Sequence, residues 1–307
     1  MNATDIDSAA ADATVAATII FTLGFIGICV NSCAILVVIQ RRLQKNPFGI
    51  LCLAHEIPDV IILTTFTVFC APVTFLQATS VRATELSKIL GHIDFIAWNV
   101  TVYSHVFIAI NRFTAIYFPI GYRNFFSLKT TYIIVFGYVL TAILQTTPLF
   151  FDGCFLFYIP DVYLWAFSQT DCGAMLQNAD MTLGISLMTV VMVIDFCTFL
   201  KIKATMRAIS SNQLGGDESQ QNQDIRFFMQ ALVQAIVYIV KKLCFYVFSR
   251  FATGKWSLFF TTFFAWTMCH VLDGVILIAY NYRSEKRSSA VVGTTLASRT
   301  YQSSARL

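Results

Sequence analysis

Long apolar stretches alternate with short polar ones along the whole chain. Seven of them, residues 13–39, 50–77, 89–117, 130–151, 181–200, 227–249 and 256–281, reach the length of about 20 mostly apolar residues that a helix needs to cross the hydrocarbon layer. The first and the fourth hold no charged residue at all. The pattern predicts an all-α membrane protein, a seven-transmembrane helix bundle; six spans plus one re-entrant segment is the alternative it allows. It divides the chain into an N-terminal segment 1–12, a seven-span domain 13–281 and a tail 282–307. Asp5, Asp7 and Asp12 make the first segment acidic, without the basic start of a secretory signal, so the first helix is expected to serve as an uncleaved anchor.

Composition agrees with this picture. Of 307 residues, 57% are hydrophobic and 12% charged, where soluble domains carry about 25% charged residues; the mean hydropathy is +0.67. The net charge of +4 is modest, and its Lys and Arg cluster between the apolar blocks, which reads as membrane topology and not as nucleic-acid binding. With the N-terminus outside, fifteen Lys and Arg fall on the inner side and four on the outer side. This N-out, C-in orientation separates the chain from inverted seven-helix channels. Asn2 opens a glycosylation sequon on the expected outer face. The longest connections are an outer one, 152–180, and an inner one, 203–224, which contains Gly215 and Gly216. The Ser- and Thr-rich tail is expected to be disordered, and its hydroxyls are candidate phosphorylation sites.

Seven of the nine cysteines lie inside spans, where Cys acts as a small apolar residue. Cys154 and Cys172 lie in the outer connection, where oxidising conditions allow a disulfide between them; Cys70 is a competing partner. No Walker loop, GxGxxG or HExxH is present, so no enzyme is expected. The four histidines, His55, His92, His105 and His270, show no paired metal-ligand spacing.

Ionisable residues inside a span cost roughly 2.5–3.5 kcal/mol each on insertion scales and should face the bundle interior. His55, Glu56 and Asp59 lie in the second span; His92, Asp94, His105 and Arg112 in the third; Asp195 in the fifth. Lys241 and Lys242 lie in the sixth, and His270 and Asp273 in the seventh. Such a set suits a transporter or channel as well as a receptor, although no internal repeat or broken-helix pair supports the former. On an ideal helix Asp94 and Arg112 share a face, about 27 Å apart, and Trp98 and His105 lie close to that face. Lys241 and Lys242 fall at a depth similar to that of Asp94. Asp94, Trp98, Lys241 and Lys242 are therefore the candidate ligand site. Either Asp94 pairs with a lysine, or one charge contacts a polar ligand, and an anion is as admissible as a cation. Adjacent lysines are expected to point different ways.

Residues 108–119 resemble the signature of rhodopsin-like receptors. Arg112, Ile116 and Pro119 match it in spacing, while Asn111 replaces the acid and Phe113 the Tyr. The resemblance implies that Asn111, Arg112 and Phe113 meet a G protein. Without the acid, either basal activity rises or Asp195 or another group takes its place. Asn31 and Asp59 resemble the polar core pair of the same superfamily, and Asp273-Gly274 its Asn-Pro element. Asn31, Asp59 and Asp273 would form an inner polar network, of the kind that holds sodium in that superfamily, or the two carboxylates would share a proton. Leu277 stands where a Tyr is usual, and the aromatic-Pro switch of the sixth helix is missing. Ser87 stands near the place of the usual third-helix Cys, which favours the disulfide within the outer connection.

A resemblance that covers nearly the whole chain is to the nematode serpentine chemoreceptors of the Srx class. Asn46-Pro47-Phe48-Gly49, Ala71-Pro72-Val73, Tyr103-Ser104-His105, Asn111-Arg112-Phe113, Ile194-Asp195, Phe227-Phe228-Met229 and Ala265-Trp266 carry it. It implies a rhodopsin-like receptor in the plasma membrane of chemosensory neurons. Such a receptor binds an external small molecule and activates a heterotrimeric G protein, and arrestin is an expected partner of the tail. A receptor-derived protein that no longer signals is the remaining rival.

Overall fold

The computed structural model describes residues 3–80, 84–212 and 218–279. Among them seven helices are long and apolar enough to cross a membrane. They are α1 (Ala3–Gln40), α2 (Pro47–Phe75), α3 (Glu85–Tyr117), α4 (Leu128–Gln145), α5 (Asp171–Asn212), α6 (Glu218–Tyr246) and α7 (Lys255–Ala279). The sequon at Asn2 and the tail 282–307 lie outside the described residues, as do Gly215 and Gly216.

Local chemistry sets several starts. The Asn46 side chain accepts from the Gly49 N–H at 2.8 Å, with Pro47 in the first turn of α2, where its missing donor costs nothing. Thr84 and Ser127 cap α3 and α4 in the same way. A seven-residue helix, Pro119–Phe125, links α3 to α4. The π turn Phe66–Cys70 in α2 faces a second one, Phe260–Phe264, in α7. Phe66 and Phe263 meet between them with ring centroids 4.4 Å apart.

Several helices extend past their expected apolar runs, α1 back to Ala3, α5 on to Asn212 and α6 back to Glu218, and two boundaries differ for a local reason. Helix α4 ends at Gln145 and a 3-10 turn, Thr147–Phe150, follows it, because Pro148 cannot continue the helical ladder. Helix α5 begins at Asp171, ten residues before the expected start of the span. Its first turns carry Gln177, Asn178 and Asp180, so their polarity hid them from an apolar-run criterion.

Helix α3 is the central strut and packs against α2, α4, α5 and α6. The core is aromatic, with Phe66, Trp98, Tyr238, Phe259, Phe263 and Trp266 all buried. Large apolar side chains such as Phe21, Phe25, Val68 and Phe136 point outward, as a lipid-facing surface requires. Between α4 and α5 a hairpin, β1 (Leu156–Ile159) and β2 (Leu164–Phe167), closes one end of the bundle. A disulfide joins Cys154, before β1, to Cys172, in the first turn of α5, with Cα atoms 5.4 Å apart; Cys70 is free. The Tyr158 N–H donates to Ser87 Oγ at 3.1 Å. A Cβ on Gly91 would collide with the Leu156 carbonyl, so the absence of a side chain there lets the hairpin sit on α3. Burial holds the Tyr158 and Tyr163 hydroxyls above the usual phenol range, and Tyr158 pairs as a neutral phenol with Thr74 Oγ1 at 2.7 Å.

Candidate ligand pocket and polar core

Under the hairpin, α3, α5, α6 and α7 enclose a cavity of about 270 Å³, lined among others by Trp98, Trp165, Asp180, Lys241, Tyr246 and Trp266. Asp180 organises its polar side. It accepts from Trp98 Nε1 at 2.9 Å and from Lys242 Nζ at 3.4 Å, and the Tyr246 hydroxyl donates to it as well. Gly184, one turn further along α5, leaves the space that the end of Lys242 fills. Lys241 Nζ stands 3.2 Å above the Trp98 ring centroid and 5.1 Å from that of Trp266. Among the described residues no carboxylate lies within ion-pair distance of Lys241; its direct contacts are aromatic faces, with Asp180 a more distant charge.

Two expectations are corrected here. Asp94 pairs with neither lysine. It is fully buried beside Thr65 of α2, and neither carboxylate oxygen has a hydrogen-bond partner. Helix α5 supplies the counter-ion instead, through Asp180. The two lysines also do not diverge: both are buried, with Nζ 3.2 and 4.8 Å from the same Trp98 centroid. Their long apolar stems reach the ring from adjacent backbone positions, and Asp180 draws one of them. Of the four candidate residues, Trp98 and Lys241 line the cavity, Lys242 braces it, and Asp94 stands apart.

A polar core lies deeper in the bundle. His270 Nδ1 meets Asp59 Oδ1 at 2.8 Å, and Thr101 Oγ1 donates to the same oxygen at 3.2 Å. Trp266 Nε1 donates to His270 Nε2 at 2.7 Å, so His270 carries its proton on Nδ1 and gives it to Asp59. His55 Nε2 faces Asp59 at 3.9 Å and Asp273 at 3.7 Å. Asn31 Nδ2 donates to the Gly27 and His270 carbonyls, at 2.8 and 3.1 Å, and the bare Cα of Gly274 admits its side chain. Asp59 and Asp273 thus converge with His55, His105 and His270, while Asn31 joins this set through the His270 carbonyl and its contact with Gly274. Helical arithmetic placed His105 inward, but the meeting of the histidines depends on the relative rotation of α2, α3 and α7, which no local spacing encodes.

At the other end of the bundle Asn111, Arg112 and Phe113 separate. Arg112 turns inward, donates to the Ile108 carbonyl at 3.2 Å and forms an ion pair with Asp195 of α5 at 3.1 Å. Asn111 Nδ2 donates to the Tyr122 hydroxyl of the short helix at 3.1 Å. Phe113 stacks on Tyr117, with centroids 4.3 Å apart, and lines an apolar groove with Phe107 and Phe118.

Sequence reasoning left Asp180 in a loop and out of the site. The available signal was the run from Asp171 to Asp180, where Gln177 stands three positions before Asp180 and shares one side of a helix with it.

The chain resembles squid rhodopsin in structure, with a TM-score of 0.73 over 94% of this chain and 87% of that one, at 13% identity. Its sequence is 22% identical over 286 residues to serpentine receptor class X 45 of Caenorhabditis elegans, covering 87% of this chain and 78% of that one. It is 24% identical over 247 residues to serpentine receptor class X-43 of the same organism, covering 77% and 74%. Residues 21–281 match the family described as the serpentine type 7TM GPCR chemoreceptor Srx. The chain, a multi-pass membrane protein with a rhodopsin-like bundle whose buried charges gather under the hairpin, in the polar core and at Arg112, belongs to the Srx family of serpentine chemoreceptors.

Proposed function

We propose that the chain is a chemosensory receptor of the plasma membrane that binds an external small molecule in the cavity under the hairpin and activates a heterotrimeric G protein at the Arg112 end. Residues 1–12 and the hairpin lie outside the cell, and the tail 282–307 lies in the cytoplasm, where arrestin is a further partner. The distribution of Lys and Arg supports that orientation, and the family supports expression in chemosensory neurons.

One observation carries the reading: the cavity and the polar core share a continuous contact. Lys241 rests on Trp98, Trp98 meets Trp266 edge to face at 5.8 Å, and Trp266 donates to His270, which holds Asp59. A ligand that displaces Lys241 or tilts Trp266 changes the support of His270, and thereby the packing of α7 against α2. Differential affinity for two arrangements of that contact shifts the bundle toward the one that opens at Arg112. The ligand itself is a small molecule with an apolar or aromatic body and an anionic group: the walls are largely aromatic, and Lys241 and Arg250 line them without a carboxylate in ion-pair range among the described residues.

The experiment is a receptor-activation screen in cells that express promiscuous G proteins, with small acids, amines and neutral molecules in parallel. Activation by an acid, lost in Lys241→Met at equal surface expression, is the expected result. Activation by amines alone refutes the anionic reading. Ligand-gated current without any G protein refutes the receptor reading.

A further inference from the structure

We infer that the polar core is a binding site for a divalent transition-metal ion of the zinc class, held by His55, His105, Asp273 and Asp59 and bridging α2, α3 and α7. The inference stands independently of the ligand pocket. Ligand atoms of His55, His105 and Asp273 all lie within 4.8 Å of one another, as do those of Asp59, His270 and Asp273.

The hydrogen bonds assign the tautomer of His55. Ser104 Oγ donates to the Thr101 carbonyl at 2.7 Å, so at its 2.7 Å contact with His55 Nδ1 it must accept. His55 therefore carries its proton on Nδ1, and in the neutral ring Nε2 presents a lone pair. That lone pair faces two carboxylate oxygens, Asp59 Oδ2 at 3.9 Å and Asp273 Oδ2 at 3.7 Å. With the His55 ring neutral, these three atoms are all acceptors. His55 Nε2, Asp59 Oδ2, Asp273 Oδ1 and His105 Nε2 are all buried without a hydrogen-bond partner, on residues at most 5% exposed. Buried polar atoms are normally satisfied, and a cation held by the two imidazole nitrogens, Asp59 Oδ2 and one oxygen of Asp273 gives them a partner.

The donor set selects the ion. Two imidazoles and two carboxylates suit zinc and its neighbours, whereas sodium, calcium and magnesium favour oxygen alone. Charge agrees: Asp59 and Asp273 meet at the site with the buried Glu56 nearby, and a dication offsets more of that carboxylate charge in a low-dielectric interior than sodium does. Metal–ligand bonds of about 2.0–2.1 Å in a tetrahedron set neighbouring donors about 3.3 Å apart, so the 3.9 and 3.7 Å distances from His55 require only small side-chain adjustments, while His105 and Asp59, which fall in separate clusters, must both move inward to share one ion. His270 remains outside the coordination shell. It donates to Asp59 through Nδ1 and is itself fixed by Trp266, as an orienting partner of a metal-bound carboxylate is.

The test uses the full-length receptor, purified in detergent and stripped with EDTA. Zinc or cobalt is added alone, and sodium is added in a separate arm. The expected results are one zinc per chain, a visible cobalt absorption typical of a four-coordinate site, and a rise in melting temperature with zinc. His55→Gln and His105→Gln should each weaken zinc binding by about 100-fold or more, and His92→Gln should leave it unchanged. If one variant does not fold, the other variant and the wild-type cobalt spectrum decide. No saturable zinc site in the wild type overturns the inference. So does undiminished affinity in a folded His55→Gln, or stabilisation by sodium that matches that by zinc.

Discussion

Arg112 Nη2 donates to Asp195 Oδ1 across 3.1 Å, tying α3 to α5 with both side chains buried. The acid that precedes this Arg in other rhodopsin-like receptors is Asn111 here, and Asn111 bonds to the short helix instead. In the proposed receptor the restraint on Arg112 therefore comes from a different helix. Asp195→Asn should raise ligand-independent G-protein activation. Removing one member of a buried pair costs about 3–5 kcal/mol, so melting temperature should fall as well. Asn111→Asp should change basal signalling far less, because that side chain points toward Tyr122. Equal basal signalling in Asp195→Asn and wild type, at matched surface expression, would show that the pair does not restrain the receptor.

The two lysines should separate by phenotype. Lys242→Met leaves Asp180 without its ion pair and should destabilise the receptor. Lys241→Met removes no ion pair and should chiefly weaken the ligand response. Adding Asp180→Asn to Lys242→Met should recover part of the lost stability, a coupling of about 0.5–3 kcal/mol in a double-mutant cycle on melting. Additive losses would mean that the pair contributes nothing.

Trp266→Phe keeps the aromatic packing but removes the N–H that fixes His270. Ligand affinity should hold within a few-fold while maximal signalling drops. Unchanged maximal signalling in a dose-response assay would sever the proposed link between cavity and core.

The hairpin is fastened by the Cys154–Cys172 disulfide over a sequence separation of 18. Cys154→Ser should cost about 3 kcal/mol, the loop-closure value for a ring of this size, and weaken ligand binding by loosening the cavity roof. Melting curves and dose-response curves of the variant check both outcomes.

Asp94→Asn should retain the ligand response and full stability, because this carboxylate touches neither the lysines nor the cavity and has no hydrogen-bond partner. A large loss of ligand response in this variant would return Asp94 to the site.

Much of the bundle was legible in the chain, because lipid forces every crossing segment to satisfy its own backbone and to show apolar side chains outward. That requirement writes residues 13–39 and 130–151 as uncharged runs, and it makes Arg112, Asp59 and Asp273 conspicuous. Helical periodicity also turned Trp98 and His105 inward. What stayed hidden depends on neighbours. Polarity concealed the first turns of α5, and with them Asp180, which took the lysine assigned to Asp94. The convergence of His55, His105 and His270 needed the rotations of three helices.

The amino-acid sequence by itself determined the seven crossings, the family and the inventory of buried charges, since each follows from the cost of placing a residue in lipid or from local spacing. Only the tertiary structure decided which charges meet: Asp180 with Lys242, Asp195 with Arg112, His270 with Asp59. Those pairings depend on packing between helices distant in sequence, and a shift of one turn in any of them would choose different partners.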